Sequence, residues 1–178
     1  MFRHFCHRKS NAFRCQTLCT KNRVDNANQT IETLFSYGED VLRSPDAMDK
    51  VRLTFECKKK WDANEISSNL QNCSSNPPNF PARTIDYPRL YKPKEMPPMK
   101  EWNTTVPIAI FHALAHIELG AVDKYWDTFV RFDPKRYNLP QQFYHDFFKV
   151  AVDGARHFEL VQNRLKELGS PYGALPLI

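Results

Sequence analysis

Two ionisable residues stand where a helix would carry them inward: Glu118 in HALAHIELGAVD (112–123) and His157 in VAVDGARHFELV (150–161). Successive residues lie about 100° apart round a helix, so Phe111, Leu114, Val122, Tyr125 and Phe129 all fall within about 40° of Glu118. His112, His116 and Asp123 fall on the far side. On the second segment His157 shares a face with Phe143, Val150, Val161 and Leu168. Gly154 lies about 60° round from it, and Asp153 is on the other border. A carboxylate centred on an apolar stripe is costly unless it is paired, hydrogen-bonded or bound to metal. Carboxylate di-metal bundles take one Glu from one helix and Glu-x-x-His from the next, since i, i+3 spacing puts both ligands on one face. Here the four residues read Gly154-Ala155-Arg156-His157, with the imidazole present and its carboxylate missing. The plainer reading, which spacing alone favours, is a core histidine bonded to a carboxylate of the neighbouring helix.

The elements that would hold this pair are two long helices, from about Val106 to Phe132 and from Pro140 to about Leu168. Asn103 to Thr105 are cap candidates for the first, with Pro107 in its first turn and Asp133-Pro134 ending it. Gly169 is the expected stop of the second. The short connection between them suits an antiparallel helical hairpin. Upstream, TIETLFSYGEDVL (30–42) reads as a short amphipathic helix capped by Thr30. SPDAMDKVRLTFECKKKW (44–61) reads as another, with Ser44-Pro45 at its start and Val51, Leu53, Phe55 and Trp61 turned inward. Between these pairs, residues 62–105 hold seven prolines from Pro77 to Pro98, which oppose helix and favour extended backbone. Phe80, Ile85, Tyr87, Leu90, Tyr91, Met96 and Trp102 punctuate the segment, so it is expected to lie as a strap against the helices.

The chain has 178 residues, 42% of them hydrophobic and only five of them glycine, which bounds it to one domain with a tail. Residues 1–24 hold six of the 25 Lys/Arg and none of the 20 Asp/Glu. Residues 1–29 are therefore set apart as a basic tail from a helical domain over 30–178, and the body is close to neutral, which argues against a nucleic-acid partner. The acid-free, Arg-bearing tail with Phe2, Phe5 and Phe13 suits either a mitochondrial targeting segment or a disordered basic tail in a cytoplasmic protein. No run approaches the ~18 apolar residues of a membrane-crossing helix, so no span is expected. Cys6, Cys15, Cys19, Cys57 and Cys73 are odd in number and scattered, which reads as free thiols. A site built from Cys15, Cys19, His4, Cys6 and His7 would match no standard zinc spacing. Asn28, Asn72 and Asn103 begin N-x-S/T triplets that, without a secretory signal, read as chance.

HALAHIELGAVD (112–123) and FYHDFFKVAVDGARHFELVQNRLKELGSPYGALP (143–176), together with VLRSPDAMDKV (41–51) and PARTIDYPRLYKPKEMPP (81–98), resemble the ferritin-like domain of unknown function 455. The resemblance covers about residues 33–176 and implies an all-α, ferritin-like bundle with a carboxylate–histidine metal site for iron or manganese. By position it makes Glu118 and His157 metal ligands. Asp153 keeps the first member of the family's acidic pair, and Gly154 replaces the second. The family pattern continues with two further long helices after the YG-x-L-P segment, whereas these residues form only the first half of such a bundle. Two function classes follow. One is a truncated or degenerate member without a complete di-metal site, with no cofactor, binding a helical partner or a second copy through exposed apolar faces. The other is a metal-dependent oxidoreductase or hydroxylase whose iron or manganese site is completed by homodimerisation.

Overall fold

The computed structural model describes residues 33–66, 70, 73–85 and 87–178, all within one compact unit, Ile31–Ile178. The tail, with its targeting and cysteine readings, and the expected Thr30 cap lie outside the described residues. The architecture is all-α: α1 Leu34–Arg43, α2 Ala47–Asp62, α3 Val106–Arg131, α4 Pro134–Tyr137 and α5 Gln141–Glu167, with a 3-10 turn at Met99–Glu101.

The helix ends have local causes. Thr33 caps α1 in a reciprocal box: its hydroxyl accepts from the Ser36 amide at 3.1 Å and the Ser36 hydroxyl accepts from the Thr33 amide at 2.9 Å. Asp46, not Ser44, caps α2, accepting from the Asp49 amide at 2.9 Å. The carboxylate reaches the orphan amides, and Pro45 falls just outside the helix. α5 ends as expected, with Gly169 left-handed at φ 73°. Ser170 N–H donates to Leu165 O and Gly169 N–H to Lys166 O, both at 3.0 Å, the two bonds that close a helix over a glycine. The connection that reads as loop contains α4, because the Asp133 carboxylate caps it and Pro134 starts it.

α3 and α5 run antiparallel, with Phe132 near Phe143 at one end and Val122 against Gly154 in the middle. α1 and α2 pack over one side of this hairpin. Trp126, Phe129, Phe35, Tyr144, Phe148 and Phe158 fill the core between them. Two glycines in the helices behave oppositely. A Cβ on Gly38 of α1 would lie 2.5 Å from Val130 Cγ1 and 2.8 Å from Trp126 Cε3. A Cβ on Gly154 of α5 would meet its nearest neighbour, Val122 Cγ2, at an ordinary 3.4 Å. Gly154→Ala is therefore expected to stabilise the domain, up to about 1 kcal/mol from helix propensity. Gly38→Ala is expected to destabilise it by about 1–2 kcal/mol, since overpacking outweighs the same gain. Urea melts of the two variants check the opposite signs.

The helical face of α3 differs from the expected one. Its buried residues are His112, Ala115, Leu119, Val122, Asp123, Trp126, Phe129 and Val130. That face is centred about 80° round from Glu118. The three polar residues assigned to the far side thus include two of the most buried. Ile110, Leu114 and Ile117 remain 54%, 41% and 64% exposed. α3 is apolar on two faces, one in the core and one open, and a wheel cannot tell them apart. The same double-faced composition makes α3 the one described helix long and apolar enough to cross a membrane, with a mean hydropathy of 1.3 over an 18-residue window of which 28% is buried. The expectation that no segment has this character overlooked a run whose few polar residues do not lower its average below that level.

Beyond Asp62, which ends α2, the proline-rich segment contains no α-helix among its described residues; Ile66 and Leu70 anchor it in the core, and polar contacts tie down the stretch after them. Arg131 donates to the carbonyls of Pro78 and Asn79, and the Ala82 amide donates to Leu42 O at 2.7 Å. Residues 89–91 pair with the C-terminal segment through Tyr91 N–H to Leu177 O and Leu177 N–H to Arg89 O. Phe80 and Ile85 were expected against the helices but are over four-fifths exposed. Prolines on either side set the chain direction there, and the side chains turn outward.

Candidate functional site

Glu118 and His157 do meet: His157 Nδ1 lies 3.4 Å from Glu118 Oε2. They meet at the surface, with 45% of the His157 side chain and 28% of the Glu118 side chain exposed. The dry interior expected for the pair is absent because both residues border the cores of their helices. Asp153, one turn before His157, has its carboxylate turned toward Arg156 at 4.0 Å and about half exposed. Gly154 faces Val122 of α3, not the open side. A Cβ there would touch Val122 and Ala121 of α3 at 3.4–3.6 Å. A solvent-screened pair of this kind contributes about 0–1 kcal/mol. Glu118→Leu is accordingly expected to change stability by no more than about 0.5 kcal/mol in urea unfolding.

The strongly buried polar chemistry lies on the opposite face of α3. His112, His116 and Asp123, spaced four and seven apart, share one side of the helix. Asp123 sits between two cations: Oδ1 is 2.7 Å from Lys50 Nζ, and Oδ2 is 2.7 Å from Arg83 Nη2. Lys50 comes from α2 and is wholly buried, donating also to Val41 O at 2.8 Å. Arg83 comes from the proline-rich strap. Burial pushes the Lys50 ammonium below its ordinary range, and Asp123 opposes that shift. Two turns of α3 before Asp123, His116 Nδ1 lies 2.7 Å from the Tyr172 hydroxyl. Gln162 Oε1 accepts from the Tyr172 amide at 2.7 Å. Burial drives the Tyr172 hydroxyl up to about 12. His112 Nε2 lies 3.1 Å from the Ser170 carbonyl oxygen.

Burial also lowers the imidazoles of His112 and His116, and for His116 the Arg83 charge adds to the effect. The folded domain thus holds both rings neutral at pH values where the unfolded chain protonates them. The unfolded state binds the extra protons, so their contribution to stability is full above about pH 6.5 and is lost as pH falls below it. Urea unfolding at pH 7.5 and 5.5 is expected to show this loss, and His116→Gln is expected to reduce it.

Of the residues legible beforehand, the structure brings Glu118 and His157 together and leaves Asp153 beside them, turned away. Lys50, Arg83, His116, Asp123, Gln162 and Tyr172 were missed as a group. The spacing of His112, His116 and Asp123 was the available signal, since three ionisable residues on one face of an apolar helix require buried partners.

A protein called "Uncharacterized protein" in Haemophilus influenzae (strain ATCC 51907 / DSM 11121 / KW20 / Rd) is 34% identical over 89 residues, which is 48% of this chain and 31% of that protein. The match spans about a third of that relative's length. No solved structure matches the chain. A family model described as "Protein of unknown function (DUF455)" matches residues 43–178, a stretch that includes α2 through α5, the Asp123 cluster and the Glu118–His157 pair. The chain belongs to that DUF455 family, whose function is unknown.

Proposed function

We propose that this domain is a helical binding module of ferritin-like descent, a degenerate member whose open α3–α5 face pairs with a second copy of the chain. The observation that carries this reading is the exposed apolar side of the hairpin. Ile110, Leu114 and Ile117 on α3 and Val150 and Leu160 on α5 stand 39–64% exposed around the Glu118–His157 pair. A helix apolar on both sides is normally covered on both sides. In a four-helix bundle, two more helices would cover this one. A second hairpin related by a two-fold axis supplies them and presents the same face to itself.

The donor set does not fit a di-metal centre within one chain. Glu118 and His157 are two donors, and no group of three or more His, Cys, Asp or Glu side chains among the described residues is placed to hold an ion. Gly154 packs against Val122 and Ala121 of α3 and brings no carboxylate to the pair. A second reading remains specific: the 3.4 Å Glu118–His157 contact would be doubled by a two-fold partner, giving four donors for iron or manganese. On that reading the protein is a metal-dependent oxidoreductase or hydroxylase.

Sedimentation of the full chain over about 1–100 μM tests the first reading. A dimer that Ile117→Arg converts to monomer supports it; a monomer throughout overturns self-pairing. Metal analysis after anaerobic loading with iron or manganese tests the second. Bound metal that Glu118→Gln and His157→Gln both abolish selects it, and metal-free dimers reject it.

A further inference from the structure

A cavity of about 170 Å³ lies on the far side of the hairpin from the open face, under the proline-rich strap. Its polar walls include Arg83, His116, Gln162 and Tyr172, and Leu119 and Phe158 are among its apolar walls. The polar groups converge from four segments of chain: the strap, α3, α5 and the C-terminal segment. Most pockets that bind small molecules are apolar with a few placed polar groups, and this one has that composition. Its size admits a handful of non-hydrogen atoms, at roughly 30 Å³ for each water-sized group.

The charge beneath it is unbalanced in one sense. Asp123 is shared between Lys50 and Arg83, two cations on one carboxylate. Lys50 already meets Asp123 Oδ1, which leaves Arg83 as the cation of the cavity wall. A guanidinium carries five N–H donors and no acceptor, and Asp123 Oδ2 occupies only one side of it. Arg83 can only donate, so the Tyr172 hydroxyl accepts from it, and the same hydroxyl lies 2.7 Å from His116 Nδ1. Asp46 also lines the cavity, and one oxygen of its carboxylate, Oδ1, accepts from the Asp49 amide at the start of α2. Among the described residues Arg83 thus supplies the one cationic donor group of the wall, across from the Asp46 carboxylate and above an apolar floor.

We propose that this cavity binds a small monocarboxylate, with its carboxylate against Arg83 and its hydrocarbon part against Leu119 and Phe158. The strap forms part of its roof, since Tyr87, Pro88 and Leu90 are wall residues. Tyr87 packs on the backbone of Gly173, and the Leu90–Leu177 bridge joins the strap to the C-terminal segment. The C-terminal segment that carries Tyr172 and the strap that carries Arg83 thus close over the same space. A cationic or purely apolar molecule of equal size would leave the Arg83 donors unmatched.

Isothermal titration and thermal melts of the full chain with sodium butyrate, butylammonium chloride and 1-butanol at equal ionic strength test the proposal. These probes share a length and differ in charge. Butyrate is expected to bind one per chain in the millimolar range and to raise the melting temperature, while the other two do neither at about 50 mM. Arg83→Lys keeps the charge but loses the fork, and is expected to weaken butyrate roughly tenfold. Met48 lines the cavity near its exposed edge, so Met48→Trp is expected to fold and to abolish binding by filling the space. Absence of butyrate binding at about 50 mM, equal binding of butylammonium or butanol, or butyrate binding unchanged in both variants would overturn the proposal.

Discussion

Asp123→Ala is expected to destabilise the domain by about 3–5 kcal/mol, a large part of what holds a domain of this size together. The carboxylate is 5% exposed and faces Lys50 and Arg83, both at 2.7 Å. Removing it leaves the Lys50 ammonium fully buried, with the Val41 carbonyl as its remaining acceptor among the described residues. Arg83 can turn toward water, being a quarter exposed, but Lys50 cannot. The cost is that of an uncompensated buried charge and not the net worth of the ion pair. The paired variant Lys50→Met, Asp123→Leu separates the two. It is expected to recover most of the loss, because similar apolar side chains replace a buried pair at little cost. Chemical denaturation of the two single variants and the double variant measures the cycle. A single-variant loss below about 1 kcal/mol would show that Lys50 finds another partner or water.

Gly173→Ala is expected to cost about 2–4 kcal/mol, and by two separable routes. Gly173 adopts φ 99°, a conformation that side chains rarely take. An added Cβ would also lie 2.3 Å from Tyr87 Cε1 and 2.4 Å from Cδ1. The ring of Tyr87 is half exposed and could swing away, but it would then leave the roof of the Arg83 cavity. In a Tyr87→Ala background only the backbone strain remains, so Gly173→Ala is expected to cost about 1–2 kcal/mol there. Equal costs in the two backgrounds, measured by urea unfolding, would remove the ring contact from the explanation. No loss in either would remove the strain as well.

Both positions show what a helical wheel lacks. The long helices were legible because their apolar residues, prolines and stop glycine obey rules acting within one turn. Thr33, Asp46 and Gly169 end their helices by hydrogen bonds spanning three to five residues. The face of α3 was not legible, because its apolar residues run round two sides and only the packing of α1, α2 and α5 selects one. That selection moved the core about 80° from Glu118 and took Asp123 and His112 inside.

The amino-acid order alone determined that the chain is helical, that two long helices pair, that prolines bar a helix between them, and that Glu118 and His157 come within reach. These depend on propensity, capping and periodicity, all of which act over a few residues. Tertiary structure alone decided which polar residues are buried. Lys50 and Arg83 reach Asp123 from 73 and 40 positions away, and Tyr172 reaches His116 across 56. No periodicity encodes such partners. The burial of a carboxylate is tolerable only where distant segments bring cations to it, so the location of the polar cluster is a property of the assembled fold.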